Sequence, residues 1–272
     1  MSPHPARASR PLRSPEVAGV AARGGVALQP IGATEQHGPH LPVTTDSLIA
    51  EALATRAAAL LPDDLPVWLL PTLSYGLSPE HVGRPGTVSL STTTLLALCL
   101  DLGRAVAASG LGTLIFVNAH GGNPDLLRVA CRDIRADSGV RAHVVHAPAL
   151  PLPDELVERM REPAFDIHAG FYETSVMLAL DPDTVDLAAA EPDGLAVRSA
   201  LRGLEQVSLF DDVSLPWFTD DLSSSGTIGD PTGADAAWGE AALAAHSTAL
   251  ARAVDELARF EYPPLPTRGA PS

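Results

Sequence analysis

Short apolar runs alternate with one-sided apolar stripes along this chain. Residues 24–31 are nearly all apolar and read as a buried strand. In residues 46–61, Ile49, Leu53, Ala57 and Leu60 recur at helical spacing, and Thr44 or Thr45 stands where a helix cap belongs. Residues 66–73 read as a second strand, 74–87 as a loop dense in turn residues, and Thr87–Leu90 as a short strand. A helix is predicted over 92–108, with Leu95, Cys99, Leu102 and Val106 on one face. The run from Leu111 to Asn118 reads as a strand buried on both faces. After it come Ala119-His120-Gly121-Gly122-Asn123, a helix over 124–137 that Asn123 can cap, and a strand over 141–147. Residues 148–165 are Pro-rich and read as a surface excursion. The stretch from Asp166 opens a helix through about Leu180, and 181–222 reads as loop with short elements. A tight loop over 223–233 precedes a final helix, 234–260, striped by Leu243, Leu250, Val254 and Leu257.

Strands alternating with helices predict an α/β fold, a mostly parallel sheet with helices on both faces. Ligands of such sheets sit at the carboxyl ends of the strands. Two chemically loaded loops leave strands at that edge, one carrying Glu35, His37, His40 and Asp46 and the other His120. Residues 17–262 are expected to form a single domain, with a disordered tail over 1–16 and a flexible tail over 263–272.

Composition narrows the function. With 46% hydrophobic residues the chain can build a sizeable core, and a net charge of −15 argues against nucleic acid or an anionic membrane as partner. No apolar run approaches the ~18 residues of a membrane span, and no signal segment precedes the domain, so a cytoplasmic location is expected. Cys99 and Cys131 offer no disulfide framework and read as packed thiols.

The chemistry gathers in the loop from Gly32 to Asp46. Glu35 and His37 are two apart, so an extended backbone points both to one side. Asp46 lies in a first helical turn, where an acid is favoured by the helix dipole alone. Together, in a backbone fixed by glycines and prolines, the three favour a metal site, and a carboxylate such as Asp46 can bridge two ions. His120 ends a strand before two glycines that permit close approach. Glu173 reads as a first-turn acid or as a further ligand, and His168 as a proton carrier. Glu80, His81, Gly121 and Gly122 are candidates to line the pocket, and His40 to orient a ligand. His246 reads as a packed histidine. The signatures of zincins, serine hydrolases and P-loop proteins are missing.

Thr34-Glu35-Gln36-His37-Gly38-Pro39-His40-Leu41-Pro42 with Asp46, then Glu80-His81 and Pro85-Gly86-Thr87, Asn118-Ala119-His120-Gly121-Gly122-Asn123, His168-Ala169-Gly170 with Glu173-Thr174-Ser175, and Gly229-Asp230-Pro231-Thr232-Gly233 resemble the creatininase family in order and spacing. The resemblance implies a three-layer α/β/α sandwich, hydrolysis of C–N amide bonds, two divalent metal ions per chain (zinc, manganese or iron), and a homo-oligomer, with a hexamer favoured. It implies Glu35, His37, Asp46, His120 and Glu173 as metal ligands, with Asp46 bridging, and His168 as the proton carrier. Members acting on creatinine carry Glu where Gly122 stands, which argues against creatinine as substrate. Members commonly carry an aromatic where Arg84 stands. The His-Gly-Gly-Asn form and the Gly-Asp-Pro-Thr-Gly loop are similar to the mycofactocin-system branch, which trims a C-terminal dipeptide from a precursor peptide. The expected substrate is thus a small-molecule or short-peptide amide. A metal-binding scaffold without catalysis is the alternative from another class.

Overall fold

The computed structural model describes residues 10–160, 163–210 and 213–263. Its elements follow one another as α1 (Ser14–Ala22), β1 (Val26–Ile31), α2 (Thr45–Leu60), β2 (Val67–Leu69), α3 (Thr92–Ala108), β3 (Thr113–Asn118), α4 (Pro124–Ser138), β4 (Arg141–His146), α5 (Asp154–Val157), α6 (Phe171–Leu180), α7 (Leu195–Leu201), α8 (Thr219–Leu222) and α9 (Ala236–Arg259).

The four strands pair in the order β2-β1-β3-β4, all parallel. Ala27 lies opposite Leu114 and Ile31 opposite Asn118, which sets the carboxyl ends of β1 and β3 side by side. Every residue of β1 and β3 is buried, as a strand covered on both faces requires. Val26, Leu28, Ile115 and Val117 pack with α2, α6 and α9 on one face. Ala27, Ile31, Leu114 and Phe116 pack with α1, α3 and α4 on the other. The result is the three-layer α/β/α sandwich.

Three sequence expectations change. Thr87–Leu90 is not a strand; it is a tether, with Val88 N–H donating to the Thr34 carbonyl and Leu90 N–H to that of Gly76. The strand expected over 66–73 keeps only Val67–Leu69, because Pro66 and Pro71 have no N–H to give a ladder; Leu73 returns to bridge Ile31. The last residues of the expected N-terminal tail belong to α1, whose first turn carries Pro15 and whose Glu16 accepts from Arg13 N–H. Residues 1–9 and 264–272 of the two expected tails lie outside the described residues.

The last helix does most to fix the position of α6. Trp238 is fully buried and meets Phe171 edge-on, with ring centroids 4.9 Å apart. A Cβ on Gly239 would overlap the Ser175 carbonyl, so glycine there lets α9 lie directly on α6. His246 is indeed packed: it bonds the Tyr172 hydroxyl at 2.9 Å and the Leu150 carbonyl at 2.9 Å.

Candidate metal centre

The site lies in the crevice between the ends of β1 and β3. From β1 the chain crosses to β2 on one side, while β3 and β4 lie on the other, so this is the switch point of the sheet, where such folds bind ligands. The loop after β1 brings Glu35 and His37; the first turn of α2 brings Asp46; the end of β3 brings His120; the first turn of α6 brings Glu173.

The expected residues converge. Glu35, Asp46 and His120 form one group, and His37, Asp46 and Glu173 another, each with ligand atoms within 4.8 Å of one another. Asp46 belongs to both groups and divides its oxygens between them. Its Oδ1 lies 3.2 Å from His37 Nε2, and its Oδ2 lies 3.0 Å from His120 Nδ1. His120 Nδ1 is also 3.3 Å from Glu35 Oε1, and His37 Nε2 is 3.9 Å from Glu173 Oε2. Glu35, His37, Asp46 and His120 are buried, and Glu173 is nearly so.

The imidazoles are held from behind. His120 Nε2 faces the Leu77 carbonyl at 2.9 Å, which places its proton there and leaves Nδ1 as the open nitrogen. His37 Nδ1 lies 3.1 Å from the Glu35 carbonyl, which leaves Nε2 open in the same way. His168 Nε2 donates to the Gln36 carbonyl at 2.6 Å, and its Nδ1 faces Glu35 Oε1 at 3.7 Å. Glu173 Oε2 accepts from Ala169 N–H at 2.6 Å, across a turn in which Ala169 takes the left-handed conformation (φ 53°). His40 is buried behind this turn, with Nε2 2.9 Å from Thr174 Oγ1.

Electrostatics follow from packing three carboxylates among imidazoles. Burial pulls the His37 pKa down, but the Asp46, Glu173 and Glu35 carboxylates prevail and raise it to about 10. His120 is likewise raised well above the ordinary range, against burial, by Glu35 and Asp46. Burial pushes Asp46 up, but His37 and His120 hold it down. Glu173 goes up, chiefly by burial. Burial, with the neighbouring His37 and His81, holds His168 well below its usual value.

The pocket candidates separate. A Cβ on Gly122 would overlap the Leu77 carbonyl and lie 2.6 Å from His120 Nε2 and 2.7 Å from Glu80 Oε1. The space that a side chain at 122 would need is therefore taken first by the Leu77 carbonyl and then by Glu80, whose Oε1 lies 4.0 Å from His120 Nε2. Gly121 faces open space. His81 is buried against the cluster, its ring stacked on His168 with centroids 4.3 Å apart. Asn123 does not cap α4 with its side chain. Instead it donates to the Gly32 carbonyl and to Asn118 Oδ1 and accepts from Leu77 N–H, joining three loops behind His120.

A family model described as creatininase, creatinine amidohydrolase, matches residues 11–254. This chain belongs to the creatininase family. It is a hydrolase of carbon–nitrogen bonds. A mycofactocin precursor peptide peptidase of Mycobacterium ulcerans is 41% identical over 58% of the chain, a match spanning 59% of that relative. The peptidase of the same name from Mycobacterium tuberculosis is 39% identical over 79% of the chain and 79% of its own length. A solved manganese form of creatininase superposes with a TM-score of 0.73 at 26% identity, covering 92% of this chain and 97% of that one. Among the described residues no helix is long and apolar enough to cross a membrane.

Proposed function

We propose that this creatininase-family member is a two-metal amidohydrolase that cleaves an amide bond of a precursor peptide, as its mycofactocin-system relatives are named for doing, and that the bond lies near the peptide's C-terminus, as the family resemblance implies. The observation that carries the reading is the divided Asp46 carboxylate, one oxygen toward His37 and the other toward His120. The donor set fits cations. Glu35 Oε2 and Asp46 Oδ2 are buried without an aligned hydrogen-bond partner among the described residues. Among the described residues, the ion-pair partners of Glu35, Asp46 and Glu173 are histidines. Buried carboxylates in that state are costly unless positive charge offsets them.

Glu35, Asp46 and His120 would hold one ion and His37, Asp46 and Glu173 the other. Two divalent cations so bound supply polarisation of the scissile carbonyl and acidification of a water. We assign the proton transfer to His168. Its Nε2 proton is committed to the Gln36 carbonyl, and its low pKa leaves Nδ1 as an acceptor facing the cluster. From there it takes a proton as the amide is attacked and returns it to the leaving nitrogen. Glycine at 122, where creatinine-hydrolysing members carry a glutamate, speaks for a different pocket and against creatinine. The ions are zinc, manganese or iron, and a homohexamer is the favoured assembly.

Metal analysis and product analysis test this together. Purified protein should carry about two ions per chain, and the loaded enzyme should release a C-terminal fragment from the matured precursor peptide. Asp46→Asn should lose metal and cut turnover by at least about 100-fold. Full activity after complete metal removal would refute the reading. Two tightly held ions with no turnover of peptides, formamides or cyclic ureides would favour the scaffold instead.

A further inference from the structure

We propose that Thr219 is a positioning residue of the metal centre, its hydroxyl fixing the His81 imidazole, which in turn steadies the Glu35 carboxylate. The inference rests on the two-metal reading. Three imidazole nitrogens surround Glu35 Oε1: His120 Nδ1 at 3.3 Å, His81 Nε2 at 3.4 Å and His168 Nδ1 at 3.7 Å. His120 and His168 have parts in the chemistry above; His81 has none. It sits on the single 3₁₀ turn Pro79–His81, and two groups meet its far nitrogen. Gln36 Nε2 lies 3.0 Å and Thr219 Oγ1 2.6 Å from His81 Nδ1.

The Gln36 amide fixes the direction of these bonds. Its Oε1 accepts from Gly38 N–H at 3.0 Å, so its nitrogen end faces His81. An N–H aimed at Nδ1 makes that atom the acceptor and leaves the ring proton on Nε2, facing Glu35. The Thr219 hydroxyl, fully buried, has one proton for two acceptors, His81 Nδ1 at 2.6 Å and the Glu80 carbonyl at 2.9 Å, and sits where it can donate to either. It holds the ring from the side away from the carboxylate. Groups of this kind orient metal-binding carboxylates, and their loss lowers metal affinity.

Thr219 stands 138 residues from His81 in sequence, so its placement depends on tertiary clamps. Arg84, three residues beyond His81, supplies one. Its guanidinium donates to Asp220 Oδ1 at 2.6 and 3.0 Å, to the Ser223 carbonyl at 2.7 Å and to the Ser224 carbonyl at 3.2 Å. Asp193 supplies the other by accepting from Ser223, Ser224 and Ser225. The Trp217 ring stands edge-on to His81, centroids 6.3 Å apart. The segment 217–225 is thus a fixed wall of the site.

Thr219→Val removes the hydroxyl at nearly constant shape; Thr219→Ser restores it. Zinc binding to the full chain, measured by competition against a chelator and by metal content after dialysis, is the readout. Thr219→Val should weaken one of the two ions by about 10-fold or more, within the 10–100-fold range of such contacts, and Thr219→Ser should bind like the parent. Arg84→Gln, a second variant should the first fail to fold, should weaken the same ion. Parental affinity for both ions in Thr219→Val or Arg84→Gln would overturn the proposal. So would Thr219→Ser falling as far as Thr219→Val, since the methyl group would then be what matters. A parent chain that binds no zinc would overturn the two-metal reading itself.

Discussion

Replacing Gly122 by Glu would introduce the residue that creatinine-hydrolysing members carry, but in this chain the site has no room for it. The new Cβ meets the Leu77 carbonyl, a backbone atom that cannot swing aside, and the Glu80 carboxylate. We expect Gly122→Glu to destabilise the protein by about 1–3 kcal/mol, read from urea unfolding, and to yield no creatinine hydrolysis. His168 is the other residue whose role one substitution decides. One of its ring nitrogens also lies within 4.8 Å of ligand atoms of Glu35 and His37. If it carries the proton, His168→Ala should keep both ions and lose about 100-fold or more in turnover. Loss of an ion in that variant would make it a ligand. At this scale the sequence was most informative where chemistry is concentrated: Glu35, His37, Asp46 and His120 could be read from residue type and spacing. Gln36 was passed over between two candidates because its work is done by its carbonyl and its amide, which carry no signature. Thr219 had no local signal at all, because its partner lies in a distant loop.

Elements were legible where one periodicity ran uninterrupted. The helix over 92–108 and the strand ending at Asn118 came out of the apolar pattern alone, since each buries a continuous face. Thr87–Leu90 has the composition of a strand, but its bonds go to Thr34 and Gly76 in irregular loops, a tertiary fact that composition does not contain. The turn at 223–225 likewise gave no sign of its anchor. Burial pushes the Asp193 carboxyl up, but it accepts there from three serines and from Gly194 N–H, and these bonds together prevail and hold it well below the ordinary range. A depressed carboxyl contributes stability above its unfolded pKa, about 3.9, and loses it as pH falls through its folded value. Asp193→Asn should therefore lower the urea midpoint near neutrality. Its gap to the parent should narrow below about pH 4, where the carboxyl of the unfolded parent begins to protonate.

For the whole molecule, the alternation of strands and helices predicted the sandwich and the edge on which the site would lie. What remained hidden was how the chain's far end completes that edge, because α9 packs on α2 and α6 through contacts that no local pattern encodes. A centre that draws cations to three buried carboxylates should also tie metal to stability. Stripping both ions with a chelator should lower the melting temperature by about 10–20 °C when each is present at roughly 100 times its dissociation constant. Restoring zinc or manganese should reverse the drop. The close seat of α9 on α6, with Gly239 against Ser175, has a consequence for biogenesis. During synthesis Glu35, Asp46 and His120 emerge before α6, and the helix that carries Glu173 gains its packing on α9 once residues 236–259 have been made. On the two-metal reading, a nascent chain stalled before α9 would already carry Glu35, His37, Asp46 and His120 and would lack the packing that seats Glu173.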